Sequence, residues 1–513
     1  MNKPFLCYLI TSSLALSGLL TSLATHAADL EYEQWLKQSQ TEFKQYLDEN
    51  DKAFIGFLSQ KWKEIDVEKP VKRDLAPKPI TMPIAEQAPK LPQRPKSNKP
   101  IIDEVPKPPT IVIVKPIAIE PLKIKPDSIK PSSIPSPVSV IDKRTDLSLS
   151  AVEFDFFGEK VIIKYHEKFK HVFDNKISNK SIADFWEKLA SQPHEEVIDQ
   201  LSSTAKLFQL NDWGTALLFD QFSRELQGTK QYSQNSRQLT SWFLLVKAGF
   251  NARIAYNDQI FLLMPSQQQL FSTTYFTLDN QRFYSVSFND KIMKPGKVFT
   301  YSGKHSSGQR NLDFSKPNNF IANSHQQKRD LSFSYGEKKF NINIHYPKDL
   351  VDYFSTFPQL DLKNYFNAGM PKQTAYHLLN QLKPIVDGQS EIEAVNRLLR
   401  FVQTAFEYKT DDDQFRQENY LFPLETLHYP YSDCEDRAAL FAWLTESLLN
   451  LDVVILDFPG HIATAVEFSQ TIKGDSWEFN GKRYTVADPT YINANAGMTM
   501  PAYQGKIPKL MSF

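Results

Sequence analysis

Tyr431-Ser432-Asp433-Cys434-Glu435-Asp436-Arg437-Ala438-Ala439-Leu440-Phe441-Ala442-Trp443-Leu444 decides how the chain is read. Ser432 or Asp433 can cap a helix, Glu435 and Asp436 suit its first turn, and an apolar run continues to Leu449. Cys434 therefore stands at a helix N-terminus, where unpaired N–H groups and the helix dipole favour a thiolate. The neighbouring acids oppose that effect, so a cation is needed beside the sulfur. His461 follows Gly460 and opens Ile462-Ala463-Thr464-Ala465-Val466-Glu467-Phe468, which alternates like a strand. An imidazolium there would stabilise the thiolate and later protonate a leaving amine. Asp488, in Val486-Ala487-Asp488-Pro489-Thr490, follows another strand, and its carboxylate can orient the second ring nitrogen of His461. Taken singly, each has a bland reading: a core thiol, a surface imidazole, a turn. Taken in this order, they predict a thiol that faces solvent and is ionised by an imidazole within about 4 Å, with Asp488 beyond the ring.

This constellation resembles the transglutaminase-like superfamily of thiol enzymes, over roughly residues 391–491. The likeness rests on a helix ending before Tyr408, the Cys-Glu-Asp-x-Ala-Ala-Leu-Phe helix, the Gly-His strand and the Val-Ala-Asp-Pro-Thr end. It implies a papain-like triad acting on amides through a thioester, with Cys434 as nucleophile, His461 as general base and acid, and Asp488 as orienter. By the same analogy the Cys434 N–H is an oxyanion donor, with Tyr431 as a candidate side-chain donor. Three positions depart from the family pattern. Ser432 stands where Gly is frequent, Ala463 where an aromatic often follows the His, and Leu451-Asp452-Val453-Val454 replaces a Gly-rich turn ending in Arg. The rival reading is a non-catalytic envelope scaffold or binding protein that keeps the fold.

Working outward, residues 326–513 form the expected catalytic domain of an α+β protein, and residues 144–325 look like an earlier version of it. Phe157-Gly158-Glu159-Lys160 and Tyr335-Gly336-Glu337-Lys338 each read as the turn of a hairpin. Each is followed by helical stretches, an apolar helix and short strands ending at Arg282-Phe283-Tyr284 or Arg483-Tyr484-Thr485. Aligned through the apolar helices, Gln234 falls opposite Cys434, Gln259 near His461 and Phe288 opposite Asp488. These residues cannot supply the chemistry, so residues 144–325 are read as an inactive repeat, the alternative being an unrelated α+β domain.

Residues 66–143 hold seventeen of the 32 prolines and seven Lys-Pro pairs. Proline fixes φ and removes donors, so an extended linker is expected. Within residues 28–65, Leu36, Phe43, Leu47, Phe54 and Leu58 mark one face of an amphipathic helix. That face either folds onto the body of the protein or serves self-association or a partner. Residues 1–27 read as a signal peptide: Lys3, an apolar run from Phe5 to Leu23, then Thr25-His26-Ala27. Its removal leaves Cys434 as the single cysteine, which excludes an internal disulfide.

The 59 basic and 59 acidic residues balance, which argues against a nucleic-acid binder. No GxxxxGK[ST], GxGxxG or HExxH string is present, so no nucleotide, cofactor or metal is expected. The sequence thus predicts a secreted, periplasmic enzyme with no membrane span after cleavage. Its expected partner is a peptide or protein amide, with cell-envelope material as one source.

Overall fold

Helix α1 covers residues 49–58 and is followed by β1 (Lys63–Ile65), where the computed structural model begins to describe the chain. The described residues are 49–73, 81–85, 149–174, 176–228, 234–288, 296–315, 320, 326–416 and 418–513, and all of them belong to one folding unit. The signal-peptide expectation, the first part of the amphipathic stretch and most of the linker lie outside the described residues.

The first half opens with a hairpin, β2 (Leu149–Phe156) and β3 (Glu159–His166). Phe157 and Gly158 join them with φ of 49° and 83°, the twist a two-residue hairpin turn requires. Val161, Ile163 and Tyr165 bury one face of β3 at period two. Four helices follow: α2 (Asn179–Ala190), α3 (Glu195–Leu207), α4 (Asp212–Gln227) and α5 (Gln234–Lys247). The Ser178 and Ser181 side chains bond each other's backbone N–H at the start of α2, and Asn211 accepts from the Gly214 N–H at the start of α4. α5 is buried on nearly every side. It feeds β4 (Arg253–Tyr256), β5 (Ile260–Pro265), β6 (Tyr275–Leu278), β7 (Gln281–Val286) and β8 (Val298–Thr300). These strands form an antiparallel sheet in the order β1-β8-β4-β5-β7-β6. Glu68 also bridges Tyr275 on the far edge strand, so one N-terminal segment touches both edges.

The second half repeats the plan. A hairpin, β9 (Gln326–Tyr335) and β10 (Lys338–Pro347), leads to α6 (Lys348–Phe354), α7 (Leu362–Phe366), α8 (Lys372–Val386) and α9 (Glu391–Ala405). Then come β11 (Glu407–Tyr408), α10 (Asp411–Phe415), α11 (Pro423–His428), β12 (Tyr431–Ser432) and α12 (Cys434–Leu449). α12 feeds β13 (Val453–Phe458), β14 (His461–Glu467), β15 (Ser476–Phe479), β16 (Lys482–Ala487) and β17 (Lys509–Met511). Their order, β17-β13-β14-β16-β15, is that of β8-β4-β5-β7-β6. In both halves the second hairpin strand packs on one helix (α3 or α8) and the first on the next (α4 or α9), which in turn packs on the helix feeding the sheet. The protein is therefore of α+β class.

The register refines the sequence alignment. β6 and β7 are joined through Asp279-Asn280, and β15 and β16 through Asn480-Gly481, all with positive φ. Counting from these matching turns sets Val286 against Ala487 and Leu262, which pairs Val286, against Thr464, which pairs Ala487. Gln259 then occupies the place of His461, as expected, but Ser287 rather than Phe288 occupies that of Asp488. Gln234 opens α5 as Cys434 opens α12.

α1 lies on the body of the protein. Phe54, Leu58 and Trp62 are buried, and Phe54 sits edge-on to Trp186, Tyr301 and His305. Asp51 Oδ1 accepts from Trp186 Nε1 at 3.1 Å and lies 3.2 Å from His305 Nε2, while Oδ2 accepts from Lys247 Nζ at 2.6 Å. The expected linker also begins later than residue 66. The Glu68 N–H bonds to the Tyr275 carbonyl and the Ser272 N–H to that of Val71. Arg73 lies against the rings of Phe271 and Tyr420. Proline forbids a helix here but leaves the intervening amides free to pair with strand edges. Among the described residues no helix is long and apolar enough to cross a membrane.

Candidate functional site

Cys434 is the first residue of α12, with Asp433 at the cap position. Asp436 Oδ2 accepts from the Asp433 N–H at 3.2 Å, and its Oδ1 accepts from the Leu421 N–H at 2.8 Å. The second bond draws the chain that follows α10 onto the start of α12. Asp411 Oδ2 accepts from the Asn419 N–H at 2.8 Å and steadies the same loop. Cys434 belongs to the apolar core and has no solvent exposure, and its Sγ–H donates to Glu435 Oε2 at 2.9 Å. The sequence led us to expect a thiol facing solvent. The sulfur is instead buried, and a carboxylate accepts its proton.

His461 and Asp488 do come together. His461 Nε2 lies 2.9 Å from Asp488 Oδ2, and both side chains are almost fully buried. Asp488 Oδ1 accepts from the N–H groups of Thr490 at 2.8 Å and Tyr491 at 3.3 Å. The carboxylate is thus fixed by the loop that follows β16 and can hold the imidazole in one orientation. The ring lies nearly parallel to Tyr503 at 4.8 Å between centroids, with Phe458 further off at 6.4 Å. Its Nδ1 is buried and makes no hydrogen bond. With Nε2 donating to Asp488, Nδ1 presents a lone pair. The hydrogen bond expected between Cys434 and His461 is therefore not formed.

Gln403, Arg437, Glu435 and Tyr503 hold this region together, and of these the sequence reading placed only Glu435, in the first turn of the helix. Gln403, on α9, donates from Nε2 to the carbonyls of Asp488 and Ala494 at 3.0 and 3.1 Å, and its Oε1 accepts from the Asn493 N–H at 3.1 Å. Its own carbonyl accepts from Arg437 Nη1 at 3.1 Å. Arg437 also donates to Ser432 Oγ and the Phe406 carbonyl. Burial pulls the Arg437 pKa down to about 10, against the opposing pull of Tyr408 and the nearby acids, so the guanidinium is a charged, buried neighbour of Cys434 at neutral pH. Glu435 and Tyr503 complete the set. Arg437 sits inside the cysteine motif, where its spacing from Cys434 is the signal that points to it. Gln403 and Tyr503 carry no local signal.

Carboxylates gather around the start of α12. Oxygens of Asp411, Glu418 and Glu435 lie within 4.8 Å of one another, as do those of Asp411, Asp433 and Asp436. These are the residues that could ligate a divalent cation. The acid run at 411–413 reads from sequence as solvated surface, and this holds for Asp412 and Asp413 but not for Asp411, which is buried. Glu425, beside this group, is pushed up to about 8 by burial and by Asp436, despite the Phe422 N–H that bonds it. Elsewhere, a cavity of about 260 Å³ is lined by Trp213, Thr273, Ser287, Phe288, Thr356 and neighbouring residues. None of Cys434, His461 and Asp488 lines it. No protein-family model, curated protein or solved structure matches the chain.

Proposed function

We propose that residues 326–513 form a transglutaminase-like thiol enzyme of the cell envelope, seen here in a closed state, and that residues 144–325 are its degenerate copy. The observation that carries this reading is the His461–Asp488 pair, with Nε2 on a carboxylate fixed by two backbone N–H groups and Nδ1 left without a partner. That arrangement suits a general base. Opening would turn the Cys434 thiol from Glu435 toward Nδ1. The sulfur then attacks an amide carbonyl as its proton passes to His461, and the Cys434 N–H at the helix start helps hold the oxyanion. Collapse expels an amine protonated by His461 and leaves a thioester, which water or a second amine releases. The shared strand order of the two sheets, with Gln234, Gln259 and Ser287 in the triad's places, supports a duplication in which one copy lost the chemistry. Export places the enzyme in the periplasm, acting on peptide or protein amides.

A second reading is favoured by one observation, the full burial of Cys434 with its thiol bonded to Glu435. It makes the fold a recognition scaffold. Alkylation separates the two. In the enzyme, peptide amides are turned over and His461→Ala slows both that turnover and the iodoacetamide labelling of Cys434 at pH 6–7. Labelling insensitive to His461→Ala, together with no turnover of peptide amides, supports the scaffold.

A further inference from the structure

A short stretch of the proline-rich region sits beside the His–Asp pair. The Ala85 N–H donates to the Ile492 carbonyl at 2.8 Å, and the Ile492 N–H donates to the Pro83 carbonyl at 3.2 Å. Ile84 and Ile492 thereby form a parallel bridge. Ala85 is 3% exposed and joins the apolar cluster of Ala463, Ala465, Tyr491, Met500 and Tyr503, whereas the neighbouring Ile84 is 66% exposed. Paired main chain with one small side chain buried and the next turned outward is how an extended peptide is held at a sheet edge. The backbone at Ile492 lies in the loop after β16, outside the strands of the sheet, and belongs to the site. The Thr490 and Tyr491 N–H groups hold Asp488, the next N–H holds Pro83, and Tyr503 lies over the His461 ring. Ala463 and Ala465, alternating with His461 along β14, keep this face shallow enough for a buried methyl group.

We propose that the backbone edge at Ile492 is a binding site for extended peptides with a small apolar residue, that the chain's own Pro83-Ile84-Ala85 occupies it, and that this occupancy holds the thiol site closed. The closure rests on the thiol-enzyme reading; the peptide edge does not. Departure of the chain's own segment from the edge would free the loop that carries Asp488 and open the site.

The experiment uses the full chain, Ala85→Arg, and a second variant with residues 81–85 replaced by Gly-Ser-Gly-Ser-Gly, which has no apolar side chain to bury and a glycine at position 85. The probe is a fluorescein-labelled peptide of residues 79–88. Both variants should bind the probe at least about tenfold more tightly than the wild type, whose edge is occupied, because the competing state is removed. A probe with Arg in place of Ala85 should not bind. Iodoacetamide labelling of Cys434 should rise about tenfold or more in both variants and fall again on adding the probe, following the open population. Failure of both variants to bind the probe better than the wild type overturns the peptide edge. Probe binding with Cys434 labelling unchanged from the wild type overturns the closure. Probe binding with faster labelling that remains insensitive to His461→Ala keeps the edge and sinks the thiol-enzyme reading, and the closure with it.

Discussion

Replacing Glu425 by Gln should raise stability, and only on the alkaline side. Glu425 is 3% exposed, lies in the first turn of α11, and its Oε2 accepts from the Phe422 N–H at 3.0 Å. Burial, then the negative Asp436, raises its pKa from 4.5 to about 8, and the Phe422 bond only partly offsets them. Between these values the unfolded chain has lost the proton while the native state keeps it. The favourable contribution is complete below pH 4.5 and is lost as pH rises toward about 8, after which it changes no further. At about 1.4 kcal/mol per pH unit, the interval sets a ceiling of about 5 kcal/mol. Gln keeps an acceptor for the Phe422 N–H and carries no charge at any pH. Urea unfolding of both proteins at pH 5, 7 and 8.5 measures the difference. The variant should match the wild type at pH 5 and exceed it by a margin that grows up to pH 8.5. An equal difference at all three values would refute the claim that a buried, protonated carboxyl sits there.

Three further outcomes follow from contacts described above. Asp51→Ala leaves Lys247 and His305 buried without their carboxylate, and should cost about 3–5 kcal/mol in urea unfolding. In the wild type, burial raises the Asp51 pKa, but the bond to His305, the charge and bond of Lys247 and the Trp186 bond outweigh it, so the pKa lies below its ordinary value. The contribution of Asp51 is therefore present at neutral pH and disappears as pH falls through that depressed value, which the variant's flatter acid profile should reveal. Gly214→Ala places a methyl 2.2 Å from the Tyr353 hydroxyl, whose ring has no solvent exposure and no room to retreat. A loss of roughly 1–3 kcal/mol in thermal or urea unfolding is expected, and an unchanged midpoint would contradict the packing. Asp488→Asn removes the charge facing His461 Nε2. On the thiol-enzyme reading it should lower amide turnover by roughly 10²–10⁴-fold and shift the pH profile of Cys434 alkylation. An unchanged profile would count against a role for the pair.

Local patterns in the sequence account for much of the frame. The helix starting at Cys434, the strand starting at His461 and the Asp-Pro end after β16 follow from capping residues, alternation and turn chemistry within a few positions. The same holds for the Phe157-Gly158 turn and for the apolar face of α1 around Phe54 and Leu58. The pairing of His461 with Asp488 required only that two neighbouring strands end at the same level. The choice of Ser287 over Phe288 needed the strand register, because counting from a helix cannot detect a one-residue difference in the intervening loops.

Tertiary structure alone decided the state of the thiol. Helix-start chemistry argues for an exposed thiolate, but Cys434 is fully buried among apolar neighbours from distant segments, with its Sγ–H on Glu435. The same is true of Gln403, which reaches Asp488 from 85 positions away, and of Pro83 and Ala85, which pair with Ile492 across some four hundred positions. Periodicity and capping are short-range and can be read from one segment at a time. Burial, hydrogen-bond partners and proton affinity belong to whichever distant segments happen to meet, and in this protein those meetings determine whether Cys434 can react.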